Sequence, residues 1–383
     1  MSLTIVGIID IWLRAGLDLA EILLLQGIFG VFVMILEFPS GLLADLTDRS
    51  TLLGYSYIAM MLGVLCYLLG STYLWFILAE FMFAVGMAGK SGADTAQIYD
   101  TFLEREQESD AMDILASGKS IVYAGMMIQV ALGGVLAAVN WRIPLIIAVL
   151  GFIGIAGMYF TSYEPERLRH DNSGTAMRDA VSYLKLNSVA KLALMLLIVQ
   201  VGLRIAFWDY IPKMKSLSVN AFWFGFVLAG ANGIAFLTSV LVRRNKDWIN
   251  LELIFVSSGI IGLFLFINQV SLIIILVAIA GHQIARGGSS VIFDIKLNQL
   301  LDSEVRASLA SLISTIIQGS YFMVILLFNI FMLEGQQIHW INAIIALVMG
   351  VIIVVLNHST KVSSPSINLQ KQELSEIELI EST

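Results

Sequence analysis

Charge is scarce in this chain. Of its 383 residues only 13% are Asp, Glu, Lys or Arg, about half the share of an ordinary soluble domain, which excludes a water-facing globular surface. Lys and Arg are fewer than Asp and Glu, 22 against 29, for a net charge of −7. No Lys/Arg cluster is interleaved with aromatics, so a nucleic-acid surface is excluded as well. The one cysteine, Cys66, permits no internal disulfide and sits in an apolar run as a small buried residue. No H-E-x-x-H, G-x-S-x-G, P-loop or C-x-x-C motif occurs, and the four histidines, His170, His282, His339 and His358, are scattered. An enzyme is therefore not expected. Met1 is followed by neither a basic segment nor a small-residue cleavage site, so no removable signal peptide is expected.

What the chain has is apolar length. At 58% apolar residues, about 222 positions are available, enough for roughly eleven or twelve spans of about 20 residues. Twelve candidate helices follow: about 2–14, 20–45, 52–71, 74–98, 112–139, 141–163, 190–211, 219–242, 249–267, 270–293, 306–333 and 338–357. These runs are too long and too continuously apolar for barrel strands, and lipid leaves unpaired backbone groups no water, so the fold class is an all-α membrane bundle. The polar stretch 164–189 splits the chain into two six-helix bundles, 1–163 and 190–357, and a tail follows over 358–383. Only about 13 residues precede Arg14, about 20 Å of helix against a hydrocarbon core of about 30 Å. The first helix is thus expected to be truncated, by a start lying upstream or in a compromised product.

Orientation follows from the basic residues. With both termini cytoplasmic, inside segments hold fourteen: Arg49, Arg105, Arg167, Arg169, Arg178, Lys185, Lys191, Arg243, Arg244, Lys246, Lys296, Arg306, Lys361 and Lys371. The outside holds Arg14, Arg142, Lys213 and Lys215. That bias fits the positive-inside rule and an even number of spans in the cytoplasmic membrane.

An internal repeat supports the two halves. Shifting the chain by 194 residues places Leu115, Ala116, Ser117, Ser120 and Gly125 on Leu309, Ala310, Ser311, Ser314 and Gly319. The same shift sets Ile98, Asp100, Leu103 and Ser109 on Ile292, Asp294, Leu297 and Ser303, and Arg49 on Arg243. Like-oriented repeats of this kind are built by transporters whose site lies between the halves near the midplane, related by a pseudo-two-fold axis along the membrane normal.

The end of the second helix reads Gly41-Leu-Leu-Ala-Asp45-Leu-Thr-Asp-Arg49-Ser50. It resembles the G-x-L-A-D-R-x-G-R-[KR] loop signature of the major facilitator superfamily. Glu37-Phe-Pro39-Ser-Gly41, Ala79-Glu80 and Ser91-Gly92-Ala93-Asp94 resemble its drug-efflux-like bacterial members. Leu46, Asp48 and Ser50 depart from the signature. In the helix-five stretch Gln129-Val-Ala-Leu-Gly133-Gly134 the glycine pair is kept, but the Gly-Pro usual in drug antiporters is absent. The resemblance implies a conformational latch of Gly41, Asp45 and Arg49, with Asp45 docking near Arg306 and Ala307. Physically, a carboxylate at a helix C-terminus opposes that helix's dipole and needs a partner such as Arg49.

An ionisable group in hydrocarbon costs at least about 2.5–3.5 kcal/mol on insertion scales, so each one needs a partner, water or a task. Glu37, about 12 Å deeper than Asp45 at 1.5 Å per residue, and Glu80 are the first choices for proton coupling, with Asp10 beside them. Lys90 and Asp94, four residues apart, can pair on one helix face. Lys119, Arg204, Asp209 and Arg286 can bind an anionic part of a solute or pair across the bundle. Arg204 lies four residues before Trp208, a spacing that permits cation–π stacking. His282 can relay protons or bond helix to helix.

The leading expectation is a monomeric secondary transporter that exports a small amphipathic molecule in exchange for protons, with the bilayer and the solute as its only partners. It needs no cofactor, because a proton gradient supplies the energy. Proton-coupled uptake of a polar metabolite, or a non-transporting or degenerate membrane protein, are the alternatives. A carboxylate drives such a cycle only if its proton affinity differs between the two facing states.

Overall fold

A computed structural model describes residues 3–90, 93, 97, 101, 104, 108–164, 181–184, 186–220, 222–245, 251–267, 271–300 and 303–360. Their regular structure is helical, with no strand among the described residues. The helices are α1 (Ile5–Arg14), α2 (Leu19–Leu46), α3 (Arg49–Leu69), α4 (Tyr73–Lys90), α5 (Glu108–Val139) and α6 (Arg142–Phe160). They continue with α7 (Asn187–Ser216), then α8 (Phe222–Arg244), α9 (Glu252–Ile267), α10 (Leu272–Leu300), α11 (Ser303–Ile330) and α12 (Gly335–Thr360). Nine stretches among the described residues are long and apolar enough to cross a membrane; Ala124–Val139 of α5 and Glu252–Ile267 are shorter apolar helices.

Local chemistry sets the boundaries. Asp18 and Glu21 form a reciprocal capping box: the Glu21 N–H donates to Asp18 Oδ1 at 2.8 Å and the Asp18 N–H to Glu21 Oε2 at 3.0 Å, which starts α2. Gly16, at φ +87°, makes the turn before it, in a region that disfavours any side chain. Asn140 and Asn220 accept backbone N–H groups at the starts of α6 and α8 in the same way. The start of α3 is capped from a distance: Glu164, just beyond α6, accepts the N–H groups of Arg49 (2.7 Å) and Ser50 (2.9 Å).

Helix α7 is broken twice. A π turn covers Ile198–Gly202, and the helix restarts after Asp209. The second break has a covalent cause, since Pro212 has no N–H to donate to the carbonyl of Trp208. At the first, Asn342 of α12 donates to the Gly202 carbonyl at 2.8 Å, so the irregular backbone is satisfied inside protein, as a membrane interior requires.

The packing repeats. In the first half α3 packs on α4 and α6, and α2 on α4; in the second α9 packs on α10 and α12, and α8 on α10. Adding six to each helix number of the first set gives the second. The halves meet along two seams, α2 on α11 and α5 on α8, and the same renumbering exchanges them. At one seam the backbones nearly touch: a Cβ on Gly134 would run into the backbone of Gly225. Small residues at this point are what let the helices approach.

Candidate functional site

The carboxylate of Glu80 on α4 is fully buried. It accepts a hydrogen bond from the Tyr67 hydroxyl of α3, Oη to Oε1, at 2.5 Å. Gln26 of α2 adjoins it, yet Glu80 Oε2 and Gln26 Nε2 each lack a hydrogen-bond partner. Tyr67 in turn stands 6.1 Å, ring to ring, from Trp12 of α1. The charge facing this carboxylate comes from the other half: Arg204 of α7 is within electrostatic reach of Glu80.

Arg204 lies directly after the π turn. Its Nη1 donates to Gln318 Oε1 of α11 at 2.9 Å, and its guanidinium stacks on Tyr321 at 4.7 Å. Gln318 in turn lies against Gly30 of α2. The amide that holds Arg204 thus sits at the α2–α11 seam. Tyr321 takes the place expected for Trp208, which packs instead on Trp12 across the halves at 5.5 Å. Tertiary packing overrides the four-residue spacing here.

Arg204 opens into a cavity of about 260 Å³ lined by α7 and α10, with Gln200, Trp208, His282, Gln283 and Arg286 on its wall. Arg286 Nη1 donates to Gln283 Oε1 at 3.3 Å and reaches Asn232 Oδ1 of α8 at 3.5 Å. Among the described residues neither arginine has a carboxylate within ion-pair distance. A roomier crevice of about 340 Å³ between α2, α3 and α4 is lined by no acidic or basic side chain.

Behind the cavity wall lies a second buried network. Asp209 Oδ2 meets His339 Nε2 of α12 at 2.8 Å. The Tyr210 hydroxyl meets His282 Nδ1 of α10 at 2.6 Å, the helix-to-helix bond read for that histidine. Lys213, beside Asp209, donates to the Phe266 carbonyl at 2.5 Å and lies 4.3 Å from that ring. Asp209 is thus occupied within its own half rather than facing the cavity.

The remaining candidates are dispersed. Asp10 pairs with Arg14 (2.6 Å) and Lys215 (3.7 Å) where α1 meets α7. Glu37 is half-buried on α2, which runs unbroken through Pro39. Lys90 lies 5.8 Å above the Tyr57 ring, and its expected partner Asp94 lies outside the described residues. So do the side chains of Gly41, Asp45, Lys119 and Arg306, while the Arg49 backbone is held by Glu164. Sequence reading missed Tyr67, Gln26, Gln318 and Glu252. The last joins Lys191 and Lys296, bonding both.

Apolar helices long enough to cross a membrane and a polar, charged cavity between α7 and α10 mark a multi-pass membrane protein. The Major Facilitator Superfamily model matches residues 1–325, and the chain belongs to that family. No curated protein sequence matches it. Among solved structures it is similar to the nucleoside transporter NupG, at 13% identity and TM-score 0.63, over 93% of this chain and 98% of that one. It is also similar to a bacterial homolog of the human lysosomal transporter Spinster in an inward-facing and occupied conformation, at 17% identity and TM-score 0.68, over 95% of each chain. At these identities the likeness is one of fold.

Proposed function

We propose that this chain is a proton-coupled secondary active transporter working by alternating access, with Glu80 as the proton site. The carrying observation is a fully buried carboxylate that accepts a hydrogen bond from the neutral Tyr67 hydroxyl and lies within electrostatic reach of Arg204 on α7. Any rocking of the halves about the seams changes the Glu80–Arg204 separation, and with it the proton affinity of the carboxylate. That difference between states is what coupling requires.

The helix pairing that recurs six places on supports two six-helix halves, 1–163 and 190–357, related by a pseudo-two-fold along the membrane normal. In this reading a monomer crosses the cytoplasmic membrane twelve times with both termini inside, and α1 is the short first span. Gly41, Asp45 and Arg49 form the latch between states, and Glu37 is a secondary proton carrier.

Export of an amphipathic solute in exchange for protons is the direction that the Gly41–Ser50 resemblance supports. Uptake together with the proton is favoured by one observation, Arg204 within electrostatic reach of Glu80, because protonation there leaves a cation in the cavity wall unopposed. Proteoliposomes with an imposed pH gradient and a panel of lipophilic cations, neutral drugs, sugars and organic anions test the proposal. Solute flux coupled to proton flux, lost in Glu80→Gln, is the expected result. Flux that ignores both the gradient and the substitution would overturn it.

A further inference from the structure

The cavity wall carries two positive charges and no negative one. Arg204 is held by an amide oxygen and a tyrosine ring, Arg286 by two amide oxygens. Every one of these partners is neutral, so they aim the guanidiniums without offsetting their charge. Each arginine has five N–H donors, and only one nitrogen of each is bonded in the contacts above. Elsewhere Glu252 bonds both Lys191 and Lys296, while the buried Lys213 rests on the Phe266 carbonyl beside Asp209. Two guanidiniums on one cavity wall, with no carboxylate within ion-pair distance among the described residues and only Glu80 within electrostatic reach of Arg204, therefore leave room for an anionic partner from outside the protein.

From this we infer that the transported solute is an organic anion, its carboxylate, sulfonate or phosphate group held between Arg204 and Arg286 and its apolar body against Phe207 and Trp208. Fork-shaped guanidiniums match such oxyanions bidentately. The cavity, at about 260 Å³, admits a small molecule of that kind. Gln200 and Gln283 on the same wall offer further amide donors. The fully buried His282 also lines it, with Nε2 lacking a partner.

The inference rests on the transporter reading and fixes the sign of its coupling. Around Glu80 the titratable or charged neighbours are Tyr67 and Cys66 from α3 and Arg204 from α7; Gln26 from α2 and Trp12 from α1 carry no charge. An ionised Glu80 opposes Arg204 and repels an entering anion. A protonated Glu80 does neither, so anion and proton load together, which is symport. Antiport would need them to compete.

Titration of the full-length protein in lipid nanodiscs by isothermal calorimetry tests this with benzoate, benzenesulfonate and phenyl phosphate, their uncharged counterparts benzamide and benzenesulfonamide, and tetraphenylphosphonium. At least one anion is expected to bind about tenfold or more tighter than its uncharged counterpart, the scale of a charge-assisted hydrogen bond, and tetraphenylphosphonium not at all. Arg204→Gln and Arg286→Gln should each weaken that anion about tenfold or more, and Arg286→Lys should restore part of the loss in a protein of unchanged melting temperature. The pH dependence of benzenesulfonate binding, a ligand that does not itself titrate, should vanish in Glu80→Gln. Equal binding of anion and uncharged counterpart, anion affinity unchanged by either Gln substitution, or no anion binding would each overturn the assignment. Proton-driven flux of tetraphenylphosphonium without anion binding would uphold transport and overturn the anion site. Arginine-dependent anion binding without any proton-coupled flux would uphold the site and end the transporter reading.

Discussion

Two clusters of buried charge show what separates a brace from a moving part. Near the starts of α7 and α9, Glu252 bonds Lys191 and Lys296 at once. Its place in the first turn of α9 adds the favourable pole of the helix dipole. All three residues belong to the second half, so the cluster can persist through any relative motion of the halves. At the α2–α11 seam, by contrast, the carboxylate is in one half and the cation in the other. Each is bonded locally only to neutral groups, the Tyr67 hydroxyl and the Gln318 amide. A saturated cluster fixes structure; a charge pair divided across a seam can change with state.

The sharpest way to break this comparison is to neutralise one carboxylate from each cluster. Glu80→Gln keeps an acceptor for Tyr67, so stability should change by no more than about 1 kcal/mol, while proton-driven solute accumulation is abolished and solute exchange at zero gradient survives. Proteoliposome flux with a pyranine proton readout measures both. Glu252→Ala should do the reverse. Removing one member of a buried ion cluster strands the others, at a cost of about 3–5 kcal/mol, seen as a fall in thermal midpoint in detergent. Protein that still folds should keep its proton coupling. If Glu252→Ala melts like the unsubstituted chain, the brace reading fails.

A smaller effect probes the other seam. Gly134 has the backbone of Gly225 where a side chain would go. Gly134→Ala must push α5 from α8, at about 1–3 kcal/mol of overpacking strain, measurable as a lowered melting temperature. A neutral outcome would mean that this seam is looser than its geometry implies. Gly125 of the same helix meets only Gln129 of its own helix, at 3.8 Å, so Gly125→Ala is the matched control and should leave stability unchanged or slightly raised.

Helices were readable in the sequence because a bilayer admits only helices and closed barrels, and these apolar runs are too long for barrel strands: the stretch read as 20–45 is Leu19–Leu46, and 112–139 is Glu108–Val139. The break in α7 was written in Pro212, but its local sign was weaker than the apolar run around it. Glu80, Arg204 and Arg286 stood out because charge in hydrocarbon is costly. Their partners did not stand out. A tyrosine or glutamine in an apolar helix is ordinary, and Arg204 finds Gln318 across 114 positions through packing of α7 on α11 alone. Trp208 shows the same limit, its ring claimed by Trp12 and not by the neighbouring arginine.

Asp10 tests how far charge without burial matters. The sequence groups it with Glu37 and Glu80 as a candidate for proton coupling, yet its side chain is 29% exposed and faces Arg14 and Lys215. Ion pairs of such part-exposed side chains contribute about 0–1 kcal/mol. Asp10→Asn should therefore lower stability by less than about 1 kcal/mol and leave proton coupling intact, in the same flux assay that exposes Glu80→Gln. Should Asp10→Asn uncouple transport instead, the contact of α1 with α7 would become part of the proton path, and burial would lose its place as the criterion that separates a carrier from a surface pair.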